Sequence, residues 1–102
     1  MALILVALVG MKHRGTEALV ASLPQGEPLT LVREPTNQYD RNAVQVWARG
    51  KHIGYCKASQ NRAISMAMDT AAAKANVNVT SLMKPAKLAI DGGKWPMVEI
   101  DE

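Results

Sequence analysis

The chain has 102 residues, 48% of them hydrophobic and 21% charged, with a formal net charge of +3. That length suits one domain spanning residues 1–102 with a modest core, and two Trp, two Tyr and no Phe leave that core to aliphatic side chains. A single cysteine, Cys56, excludes an intrachain disulfide and a Cys-based zinc site and fits a reducing, cytoplasmic setting.

From the N-terminus, Leu3 to Met11 is a continuous apolar run. It is too short for a membrane span and lacks the basic flank of a signal peptide. It reads as a strand covered on both faces, so no membrane association is expected. Thr16 then offers an N-cap, and Pro24 with Gly26 stops a short helix whose face carries Ala18, Leu19 and Leu23. "EPLTLVRE" alternates, with Leu29, Leu31 and Arg33 on one side. "AVQVWA" places Val44, Val46 and Ala48 on one face and Gln45 and Trp47 on the other. Arg49-Gly50-Lys51 reads as a turn into a return strand from Ile53, in which Gly54 marks a bulge or a close backbone approach.

Ser59 is placed to cap a helix running to about Ala75, with Ile64, Ala67, Met68, Ala71 and Ala75 on its packed face and Asn76 as a left-handed stop. "VNVTSLM" alternates like a strand, Pro85 interrupts, Asp91 to Gly93 turns, and "WPMVEI" closes the chain. Short strands with polar links and few helices point to a mainly β fold with two helices, built as a small antiparallel barrel.

Few residues offer catalytic chemistry. No phosphate-binding glycine loop is present, and His13 and His52 lack metal-ligand spacing. A Cys56–His52 pair fails on geometry, because same-face neighbours in a strand are two apart. His52 reads as an exposed strand-edge residue, Cys56 as a small buried hydrophobe, and Met66, Met68 and Met83 as core filling. Scattered carboxylates do not make a two-metal site, so no enzyme, metal or cofactor is expected.

Basic residues cluster at Lys12–Arg14, from Arg49 to Lys57, and more loosely at Lys84, Lys87 and Lys94. Between the second and third strands lies "REPTNQYDRNAV", longer and more polar than a turn requires. Asn37, Asp40 and Asn42 suit local turn capping. Asp40 also suits accepting a hydrogen bond from a ligand hydroxyl, with Tyr39 as a ring for stacking. Trp47 reads as partly buried under a loop, and Trp95 shares a face with Glu99; either indole offers a further stacking platform.

Three segments together resemble the HIRAN domain: Val9-Gly10; the run Leu29, Leu31, Arg33, Glu34, Pro35, Asn37, Asp40, Asn42, Ala43, Val44 and Val46; and Ile53-Gly54-Tyr55. The resemblance implies a small OB-like barrel of HIRAN type and a non-enzymatic module for single-stranded DNA that recognises free 3′-hydroxyl ends in DNA repair or fork processing, with a DNA-processing protein as a further partner. It implies a site of Lys12, His13, Arg14, Asn37, Tyr39, Asp40, Tyr55 and Lys57. The chain departs from DNA-binding members where His13 and Arg14 replace aromatic residues and Gln38 replaces a proline. The alternative is a protein-interaction module on the same fold, as in a phage or mobile-element protein acting on a host factor.

Overall fold

A computed structural model describes residues 3–92 and 95–101. Six antiparallel strands close into a barrel in the order β1-β4-β3-β2-β5-β6. They are β1 (Leu3–Val9), β2 (Pro28–Arg33), β3 (Val44–Ala48), β4 (Lys51–Cys56), β5 (Lys84–Asp91) and β6 (Trp95–Asp101). Short helices α1 (Met11–Arg14) and α2 (Glu17–Ser22) follow β1, and α3 (Arg62–Ala75) follows β4.

Alternation in the sequence becomes the inside and outside of the barrel. Val6 and Leu8, Leu29 and Leu31, Val44 and Val46, Ile53, Leu88, and Val98 and Ile100 fill the interior. Val20 and Leu23 near α2, with Ile64 and Met68 of α3, join the same core. Complete burial of such side chains is worth roughly 1.5–3 kcal/mol each. β1 is not covered on both faces as its apolar run suggests. Leu3 and Leu5 are exposed, 64% and 54%. The strand also stops at Val9, where Gly10 takes a φ of 85° and turns the chain into α1.

β3 and β4 form a tight hairpin. Arg49 and Gly50 both have positive φ, as a two-residue turn matched to strand twist requires. Val46 faces Gly54 while Trp47 faces His52, so Ile53 is a bulged extra residue. A Cβ on Gly54 would lie 2.4 Å from the Val9 carbonyl oxygen. Gly54 therefore meets both readings of that glycine, a bulge and a close approach.

Several local expectations are corrected. Residue Asn61, not Ser59, precedes α3, and its side chain makes no capping bond. The buried face of α3 is Ile64, Ser65, Met68 and Ala72, while Asn76 stops the helix in the left-handed conformation as expected. "VNVTSLM" is not a strand. Asn78 accepts from the Thr80 amide and closes a 3₁₀ turn over Val79–Ser81. The fifth strand begins at Lys84 instead and includes Pro85 near its start. Thr16 occupies the N-cap position of α2 without a capping bond, since its hydroxyl donates to the Ile53 carbonyl. In and after α2 the buried positions are Val20 and Leu23, and Ala18 is exposed. Met68 is buried, but Met66 and Met83 are exposed. Gly93 of the expected turn and Lys94 of the third basic cluster lie outside the described residues.

Candidate nucleic-acid interface

The polar stretch between β2 and β3 largely supplies its own partners. Arg33, only 4% exposed, donates from Nη1 to the Ala43 carbonyl at 2.9 Å. Its Nε and Nη2 reach both oxygens of Asp69 on α3, at 2.9 and 3.1 Å. The loop is thus clamped to the helix by a fork-shaped ion pair. The Glu34 carboxylate accepts from Asn37, Gln45 and Tyr55. Burial raises the Glu34 pKa, but these hydrogen bonds together outweigh burial and hold it below the ordinary value. Tyr55 is pushed the other way, first by burial and then by Glu34, and so stays a donor.

Asn37 is consumed inside the loop. Its side-chain oxygen accepts from the Tyr39 and Asp40 amides, and its amino group donates to Glu34. Asp40 is half-buried. One oxygen accepts from the Asn42 amide at 2.9 Å, the other from Asn61 Nδ2 at 2.8 Å. Each carboxylate oxygen keeps a further lone pair. The bond to Asp40 also fixes the orientation of Asn61, because a carboxylate accepts only from the amino side. Asn61 Oδ1 is then buried without a hydrogen-bond partner. Tyr39 projects from the loop with 88% of its surface exposed.

Elsewhere on the barrel lies an open cleft of about 770 Å³ whose lining includes Val9, Lys12, His13, Lys57, Gln60 and Trp95. Gly10 and Gly15 bracket α1 with left-handed backbone, so Lys12 and His13 are presented on a single tight turn. Lys57 comes from the turn after β4, held by its amide bond to the Ala7 carbonyl. Gln60 accepts from the Ala7 amide. The adjacent Asn61 holds Asp40, so the loop is bonded to the chain neighbour of a cleft residue.

Of the eight expected site residues, Lys12, His13 and Lys57 share the cleft. Tyr39 and Asp40 stand on the loop and do not line the cleft. Tyr55 lies between them, against Gly10, with its hydroxyl on Glu34. Arg14 is turned toward β4, where its Nε donates to the His52 carbonyl at 2.9 Å. His52 is not an exposed edge residue. It is 8% exposed, because the bulge sets it opposite Trp47. Its ring stacks on Trp47 at 5.4 Å, meets Tyr55 edge-on at 4.9 Å, and donates from Nε2 to the Gly54 carbonyl. Burial first, and the Arg14 charge second, push its pKa down. Trp47 is half-buried and bonded to Gln45. Cys56 is buried, and burial pushes its thiol up to about 12, which removes it as a nucleophile at neutral pH.

Sequence reasoning missed the clamp role of Arg33, the hub at Glu34, and Asn61. Arg33 shows one signal, a charged residue in register with the inward-facing Leu29 and Leu31. Asn61 shows none, since an Asn before a helix reads as a cap.

The HIRAN domain family model matches residues 2–90. The chain belongs to the HIRAN domain family. Among solved structures, a protein from Lactobacillus plantarum is 24% identical, with a TM-score of 0.71 over 96% of this chain and 92% of that one. The HIRAN domain of human HLTF is 18% identical, with a TM-score of 0.65 over 96% of this chain and 73% of that one. These two likenesses establish a shared barrel fold. No curated protein matches the chain. The sixth strand, beyond the family match, completes the HIRAN barrel here by pairing with both β1 and β5. Among the described residues no helix is long and apolar enough to cross a membrane.

Proposed function

We propose that this HIRAN domain is a non-enzymatic module that binds single-stranded DNA and prefers a free 3′-hydroxyl end. One observation carries the reading: a half-exposed carboxylate, Asp40, is hydrogen-bonded to Asn61, whose chain neighbour Gln60 lines a cleft bearing Lys12, His13 and Lys57. An ionised carboxylate accepts hydrogen bonds only, so it welcomes a terminal hydroxyl and repels a terminal phosphate. Lys12 and Lys57 supply charge for the backbone phosphates, and exposed Tyr39 supplies a ring for the last base. A module with so few phosphate contacts binds weakly and with modest salt dependence. It would act as the end-gripping part of a DNA-repair or fork-processing assembly, in a reducing compartment that leaves Cys56 as a thiol.

Fluorescence anisotropy with matched short strands tests this. A 3′-hydroxyl strand is expected to bind about tenfold more tightly than the same strand with a 3′-phosphate, a difference near 1.4 kcal/mol. Equal binding of the two strands removes Asp40 from the role. A protein-docking reading has one observation in its favour, the outward face of Val32, Trp47 and exposed Met83. No DNA binding at low salt, with a protein recovered by pull-down and lost in Met83→Lys, would decide for it.

A further inference from the structure

Trp95 carries a large side chain that the fold itself leaves exposed. Trp95 is 69% exposed at the start of β6. Trp47, by contrast, is stacked on His52 and bonded to Gln45. Trp95 has neither kind of partner among the described residues, yet it lines the cleft together with Lys12, His13, Lys57 and Gln60. The cleft floor beside it is apolar, made by Ala7, Val9, Pro96 and Met97, and a single acid, Glu17, lies on its wall. An aromatic face set among cations over an apolar floor is the arrangement that single-stranded nucleic acid uses, the ring meeting a base and the cations its phosphates. The cleft volume of about 770 Å³ falls within the roughly 300–1,000 Å³ of ordinary ligand sites.

We infer that Trp95 is a second base-stacking platform, engaging a nucleotide upstream of the 3′ terminus as the strand leaves Asp40 and passes Gln60 into the cleft. The inference rests on the single-strand reading above and extends it from the terminal nucleotide to the strand behind it. Direction follows from placement: the terminal site is on the loop, and Gln60, next in the chain to the Asp40 partner Asn61, lines the cleft.

Tryptophan emission tests it on the full chain. Titration with a short 3′-hydroxyl strand should quench the wild-type protein, and Trp95→Phe, where only Trp47 emits, should lose that quench. Trp95→Ala should bind about tenfold more weakly, within the span that one base–aromatic stack supports, with an unchanged melting temperature because the side chain is exposed. Strands carrying one abasic site at successive positions locate the stacked base. At that position the abasic strand and Trp95→Ala should not add, since each removes the same contact. If wild-type protein binds by anisotropy while its emission is unchanged and Trp95→Ala binds equally well, this inference is overturned and the end-binding reading stands. If wild-type protein binds no strand at all, both fall.

Discussion

Between Arg33 and Ala43 four polar side chains, Arg33, Glu34, Asn37 and Asp40, already have partners within the chain, while the cleft leaves Lys12 and Lys57 to solvent. Arg33, Glu34, Asn37 and Asp40 are tied to one another, to α3 or to the loop backbone. Neither Lys12 nor Lys57 enters an ion pair among the described residues. The first region is tied together by these bonds, which hold Asp40 in place while leaving each of its oxygens a further lone pair. The second is available because its groups are not spent. Substitutions that break these loop bonds should therefore register first as lost stability, and substitutions in the cleft only as lost binding.

The hardest break is Arg33→Ala. Removing this buried fork leaves a void and an unclamped loop, with an expected loss of about 3 kcal/mol in urea denaturation. Asp69→Asn should cost under about 1 kcal/mol, because Asp69 is 46% exposed and the pair is partly screened. A loss below about 1 kcal/mol for Arg33→Ala would contradict the clamp. Next comes Asp40→Asn. The new amino group can face Asn61 once that amide flips and turns its unpartnered oxygen toward it. Stability should change by less than about 1 kcal/mol, while discrimination against a 3′-phosphate disappears in anisotropy. A large stability loss would show that Asp40 serves the loop alone.

Lys12→Ala and Lys57→Ala should leave the melting curve unchanged and weaken all single strands alike. Each should flatten the plot of log affinity against log salt by about 0.7. A changed melting temperature would place these lysines with the loop rather than the cleft. The smallest effect is with pH. His52 has a folded pKa below its unfolded value near 6.5, so its contribution is complete above that pH and is lost as pH falls from there through the lower folded pKa. Glu34, also held low, gives a second loss below its unfolded value of 4.5. Melting temperature should decline in two stages on acidification, and His52→Phe should remove the upper one.

The barrel was legible where one face of a strand meets the core. Leu29, Leu31 and Arg33, then Val44, Val46 and Ala48, turn inward as their alternation predicts. Gly54 and Asn76 also announced their backbone roles. Legibility failed where a contact crosses strands or a side chain does something other than its usual task. His52 is buried by Trp47 across the hairpin, which no local pattern encodes. "VNVTSLM" alternates, yet Asn78 diverts the backbone into a 3₁₀ turn. Pro85 reads as a breaker but sits opposite Thr30 near the start of β5. The candidate site divides the same way. Asp40 and Tyr39 stood out by type, whereas the support from Asn61 needs the helix to be brought against the loop in space.

The ring of strands is joined between β1 and β4 by only two register pairs, Leu8 with Cys56 and Val9 with Tyr55. A closed cylinder parts where its lacing is shortest, so amide protons along this join should exchange with deuterium earliest among the strands. Lys12 follows one side of the join and Lys57 the other. A molecule gripping both acts as a splint across the gap, and slowed exchange at Val9 and Tyr55 would record its arrival.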